Sequence, residues 1–139
     1  MKRTRLLILL IILMAAAATI TVFYAQNKNV VGTLTIPMDV KVEDHYAFNL
    51  DSDAIHFGKV VPTQQGIRGF ILNNTFSFPV TAEFRFSGHI APWVAPDVNL
   101  ILLNPRETRE LNLTVTIPDN TPYATYTGTM HVTFRKYSS

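Results

Sequence analysis

The sequence predicts an all-β protein, a two-layer antiparallel β-sandwich preceded by one N-terminal hydrophobic helix. Three observations carry that expectation. An uncharged apolar stretch fills residues 6–25, and from Asn27 the pattern changes to alternation of apolar and polar residues. Valine, threonine, phenylalanine and isoleucine recur in short runs that prolines and Asn pairs interrupt. No long helical period follows Gln26. Short alternating runs with frequent turn signals favour two packed sheets over helical or βαβ architectures.

The first element is the apolar stretch, LLILLIILMAAAATITVFYA, preceded by Lys2-Arg3-Thr4-Arg5. As a helix it would span about 30 Å, the thickness of a bilayer core. The basic tip places the N-terminus in the cytoplasm and the remainder outside, with Tyr24 at the outer interface. A cleaved secretory signal is the competing reading, but Phe23 is too bulky for a good small-residue site ending at Ala25, and a cut among Ala15–Ala18 would leave an apolar tail. A pilin-type leader is disfavoured because no small residue joins Arg5 to Leu6. The expected organisation is an anchor or signal at 1–25, a linker at 26–30 and a sandwich at 31–137.

The clearest strand is Glu110-Leu111-Asn112-Leu113-Thr114-Val115-Thr116-Ile117, with Leu111, Leu113, Val115 and Ile117 inward. Val80, Ala82, Phe84 and Phe86 form a second inward row; Gly128, Met130, Val132 and Phe134 form a third. Further strands are expected at 32–36, 38–42, 46–50, 54–57, 66–72 and 98–103.

Composition narrows function. The chain has 139 residues and no cysteine, which removes disulfides, thiolate metal sites and thiol nucleophiles. A body of roughly 110 residues can still bury a sufficient core. Lys2, Arg3 and Arg5 account for the basic balance; from Gln26 onward nine Lys/Arg face ten Asp/Glu, a net of −1. The body therefore lacks the basic stripe that nucleic acid requires.

The order of motifs is informative. Ile55-His56-Phe57-Gly58-Lys59-Val60-Val61-Pro62 precedes a strand, Asn73-Asn74 and Phe78-Pro79-Val80; then come Ser87-Gly88, Leu103-Asn104-Pro105-Arg106-Glu107-Thr108, Leu113-Thr114-Val115-Thr116-Ile117-Pro118 and Pro122-Tyr123-Ala124-Thr125-Tyr126-Thr127-Gly128. Over about residues 53–135 this resembles the immunoglobulin-like modules of the PapD-like class, including the ASPM–SPD-2–hydin and NEW3 types of prokaryotic surface proteins, and small archaeal exported proteins. The resemblance implies an immunoglobulin-like sandwich and, being turn-and-strand grammar, says more of fold than of activity. Where such modules have glycine after the turn prolines, this chain has Thr63 and Arg106; type I turns are expected there. The modules also carry a further strand after the equivalent of residues 126–134. An N-terminal strand is then expected to fill that edge within the chain or to be donated to a neighbour. Gly32-Thr33-Leu34-Thr35-Ile36 is the strand-donation candidate; its Gly-Thr-Leu start after a signal and short segment is similar in layout to TasA-like and archaeal bundling-pilin fibre proteins.

Asn73-Asn74-Thr75 and Asn112-Leu113-Thr114 are N-glycosylation sequons, with Asn73 in a turn and Asn112 outward on its strand. They would serve in an archaeal or eukaryotic exported protein; in a bacterial one chance is the plainer reading. His45, His56, His89 and His131 lack ligand spacing, and Asp39, Glu43, Asp44, Asp51 and Asp53 lack the glycine and glutamate spacing of a calcium loop. No cofactor, metal or catalytic constellation is expected. Trp93, between Pro92 and Pro96, is expected to plug one end of the sandwich, and Tyr126 to cap a corner through its hydroxyl. The expected function is a non-enzymatic module, tethered to the membrane by residues 6–25 or secreted, that contacts envelope proteins; the alternative is a fibre subunit polymerising through residues 30–37.

Overall fold

A computed structural model describes residues 2–44 and 54–138. The expected strand at 46–50 lies outside them, as do His45, Asp51 and Asp53. The chain divides into two compact units, Met1–Val30 and Val31–Ser139.

The first unit is helix α1, Lys2–Asn27, with no buried residue. It is long and apolar enough to cross a membrane or to serve as a signal sequence. Thr19 and Thr21 donate their hydroxyls to the carbonyls of Ala15 and Ala17, at 2.9 and 2.8 Å, so neither polar group is left exposed to an apolar surrounding.

The second unit is built of strands. After β1 (Val30–Val42) come β2 (Ile55–Val60), β3 (Gln65–Asn73), β4 (Val80–Gly88), β5 (Val94–Pro96), β6 (Leu100–Leu103), β7 (Thr108–Thr116) and β8 (Thr125–Lys136). They form a five-stranded sheet, β2-β1-β8-β4-β6, and a three-stranded sheet, β3-β7-β5. The inward rows of both sheets share one core. Val80, Ala82, Leu113, Val115, Met130 and Val132 are fully buried within it, and Phe86 and Phe134 pack at its margin. The three alternating rows read from the sequence are thus the rows that meet.

Four features depart from expectation. Residues 32–36 and 38–42 are one strand, because Pro37 continues it. Val42 donates its N–H to the carbonyl of Ala124, the residue just before β8, so strand alternation turns the amide of residue 37 away from β8, where proline loses no ladder bond. The sheet is not wholly antiparallel: β1 pairs with β2 in parallel, from Met38↔Ile55 to Val42↔Val60. The intervening residues 43–54 are long enough for the crossover that a parallel pair needs. The turns at Pro62 and Pro105 are not type I. Thr63 and Arg106 have φ of 69° and 62°, the left-handed values of the third position of a type II turn, and Gln64 and Glu107 close the turns onto Val61 and Asn104. Finally, the run expected at 98–103 is strand only from Leu100, and a 3-10 turn at Ala91–Trp93 leads into β5.

The place beside the last strand, β8, is occupied by β1 of the same chain. At the other side of β8, the ladder to β4 ends at Gly88↔Gly128. A Cβ on Gly128 would stand 2.7 Å from the Ser87 carbonyl oxygen and 2.8 Å from Ile90, so only glycine lets the two backbones approach.

Candidate functional site

Strand β1 has two unlike halves. Met38, Val40 and Val42 are at most 1 % exposed and are flanked by β8 on one side and β2 on the other. Because β2 begins opposite Met38, residues 31–37 have no strand on that side among the described residues. This free edge is about 20 Å long at strand rise. Carried along the strand, the alternation that Val42 sets assigns the N–H groups of Val31, Thr33 and Thr35 to this side.

The side chains beside this edge are apolar. Leu34 is 41 % exposed although its strand parity is that of the core row. It borders a hollow of about 380 Å³ with Gly32, Thr33, Ile71, Leu72, Phe76 and Phe134 among its walls. A second hollow of about 410 Å³ runs between Ile36, Ala54 and Ile55 on one bank and residues 68–71 of β3 on the other. Ile71 is common to both. The hollows therefore follow the edge, between β1 of one sheet and the edge strand β3 of the other. Residues 31–37 carry no charge; the nearest cation on the opposite bank is Arg68. Natural sheet edges are usually blunted by charges, short length or cover.

Charge gathers where β1 and β2 pair. Asp39 Oδ2 lies 2.5 Å from His56 Nδ1, on directly opposed residues. Glu43 pairs with Lys41 and, at 2.9 Å, with Lys59. The two ammonium groups, Lys41 foremost, hold the Glu43 carboxyl down at about 2. On the outer face of the five-stranded sheet, Arg85 and Arg135 both bond Glu83 and lower its pKa.

The residues singled out from the sequence scatter over the fold. The segment Gly32-Thr33-Leu34-Thr35-Ile36 lies in β1, within its own sheet. Asn73 and Asn112 are both exposed, at the end of β3 and in the middle of β7. His131 Nε2 is 2.9 Å from Ser87 Oγ on the solvent side, but among the described residues no carboxylate holds its other nitrogen, so the pair lacks the third member of a triad. His89 is exposed in the turn after β4. Among the described residues no three His, Cys, Asp or Glu side chains could hold a metal ion. Trp93 packs on the core with its ring edge-on to Tyr126, centroids 4.9 Å apart, and Tyr126 donates its hydroxyl to the Pro122 carbonyl at 2.9 Å. Sequence reasoning had no means of seeing the hollows, because they join residues 32–36 to residues 68–76 across two sheets; the unblunted, charge-free run at 31–37 was the only local sign.

Compared with family models, with curated proteins and with solved structures, the chain matches none.

Proposed function

We propose that this chain is a non-enzymatic module of the cell envelope, held by residues 6–25 with its body outside, which binds other envelope proteins by strand addition along residues 31–37. The body is read as an immunoglobulin-like sandwich of the PapD-like type. The observation that carries the proposal is the half of β1 that, among the described residues, no strand pairs on the β2 side, with apolar hollows beside it. An extended segment laid there would gain main-chain hydrogen bonds, and its alternate side chains would enter the hollows. The charged first turn of α1, before its apolar stretch, supports the orientation.

A photo-crosslinking residue at Thr33 in intact envelopes tests this. Adducts with a discrete envelope protein are expected, and they should vanish when Thr35→Pro removes one outward donor. Adducts that persist unchanged in Thr35→Pro would contradict the assignment of the edge.

One observation favours a second reading, a fibre subunit that donates residues 30–37. In β1 the residues 33–35 are exposed whereas Met38, Val40 and Val42 are buried, so withdrawing the first half from its own sheet costs far less apolar burial than withdrawing the second. Deletion of 30–37 should then stop polymerisation and leave a folded monomer. A purified protein that stays monomeric at high concentration, with residues 32–36 protected from hydrogen exchange, counts against donation.

A further inference from the structure

The outer face of the three-stranded sheet carries a second feature, which shares Gly69 and Ile71 with the hollow beside β1. Gln65, Ile67, Gly69, Ile71 and Asn73 of β3 stand opposite Thr116, Thr114, Asn112, Glu110 and Thr108 of β7. Polar residues belong on such a face, yet Ile67 and Ile71 are 64 % and 72 % exposed. They bracket Gly69, which faces Asn112 directly. A Cβ at Gly69 would meet Asn112 Oδ1 at 3.4 Å and Glu110 Oε1 at 3.3 Å, so a side chain there would crowd the Asn112 amide.

Asn112 is held by its backbone and free at its side chain. Its N–H donates to Asp97 Oδ2 at 3.0 Å, and its carbonyl accepts the Asp97 N–H at 3.1 Å. Among the described residues its side-chain amide bonds to nothing. The contrast is Asn74, next to the other sequon asparagine: it is 1 % exposed, and its amide is committed to the Phe78 and Asn104 carbonyls. Both sequons thus present their asparagine, Asn73 and Asn112, on this one face.

We infer that the outer face of the three-stranded sheet is glycosylated at Asn112, with Asn73 as a second site, and that Ile67, Gly69 and Ile71 seat the first sugars of the glycan on Asn112. Ile67 and Ile71 are diagonal neighbours of Asn112, each about 7–8 Å away across the ladder and on opposite sides of Gly69, so it takes more than one sugar of a glycan on Asn112 to cover both. Covering them with the C–H faces of these sugars removes apolar area from water, which accounts for two isoleucines on a face of threonines and asparagines. In the reaction Asn112 Nδ2 attacks the anomeric carbon of a lipid-pyrophosphate-linked saccharide. The C–N bond forms as the C–O bond breaks, the lipid pyrophosphate leaves with the electron pair, and a base of the membrane glycosyltransferase takes the amide proton. The inference rests on the outside location of the body.

The test is glycopeptide mass spectrometry on full-length protein from native envelopes, beside external protease treatment of intact cells. A saccharide on Asn112 is expected, absent in Asn112→Gln and in Thr114→Ala. The Ile67→Ser, Ile71→Ser double variant should lower the melting temperature of the glycosylated protein by a few degrees and leave that of the Asn112→Gln protein unchanged. Equal losses in both would overturn the seat. An unmodified Asn112 in a body that external protease cleaves would overturn glycosylation alone. A body that protease reaches only after permeabilisation would overturn the outside location, and glycosylation with it.

Discussion

Asn74 ties the end of β3 to its surroundings through one side chain. Its amide nitrogen donates to Phe78 O at 3.0 Å and Asn104 O at 2.8 Å, with Leu103 O at 3.3 Å, and its Oδ1 accepts the Phe76 N–H at 3.0 Å. Asn74→Ala leaves these buried groups without partners and should cost about 2–3 kcal/mol in urea unfolding. Thr63 and Arg106 carry the opposite sign. Each holds left-handed backbone at a position suited to glycine, so Thr63→Gly and Arg106→Gly should each stabilise by about 1 kcal/mol; unchanged or lower midpoints would show that the strain is absorbed elsewhere. Glu43 links residue chemistry to pH. Its folded pKa, about 2, lies below its ordinary value of 4.5. Its contribution is therefore complete above pH 4.5 and is lost as pH falls toward 2. A melting-temperature profile across that window should fall less steeply in Glu43→Gln than in the wild type.

At the scale of the element, β1 shows what was legible and what was not. Residues 38–42 were legible as a strand, because a half-buried strand imprints a two-residue period on its own sequence; that Met38, Val40 and Val42 are its buried row comes from the structure. That β2 runs parallel to it, and begins only opposite Met38, left no local imprint, since pairing depends on residues far along the chain. The resemblance drew attention to Thr63 and Arg106, where such modules have glycine, but type I turns were expected there and only φ shows the left-handed backbone. The sequons were legible as motifs; that Asn73 and Asn112 share one face required the nine-residue register of β3 on β7. The two halves of β1 should respond differently to proline. Val40→Pro removes a donor directed to β8 within a buried stretch and should cost 3 kcal/mol or roughly more by circular-dichroism melting, as for other proline interruptions of regular structure. Thr35→Pro removes a donor directed to the free side, and its melting temperature should stay close to the wild type's.

The whole molecule combines an apolar helix, whose first residues supply the chain's basic balance, with a nearly neutral, strand-built body. The proposed role depends on that division: the tip fixes orientation, the helix holds the chain, and the body offers the uncharged edge of β1 at residues 31–37. Absence of native cysteine makes the central claim directly measurable. Single cysteines at Ser138→Cys and Thr4→Cys can be probed in intact cells with a membrane-impermeant maleimide. The account predicts labelling of Ser138→Cys without permeabilisation and of Thr4→Cys only after it. Labelling of Thr4→Cys from outside, with Ser138→Cys protected, would contradict it.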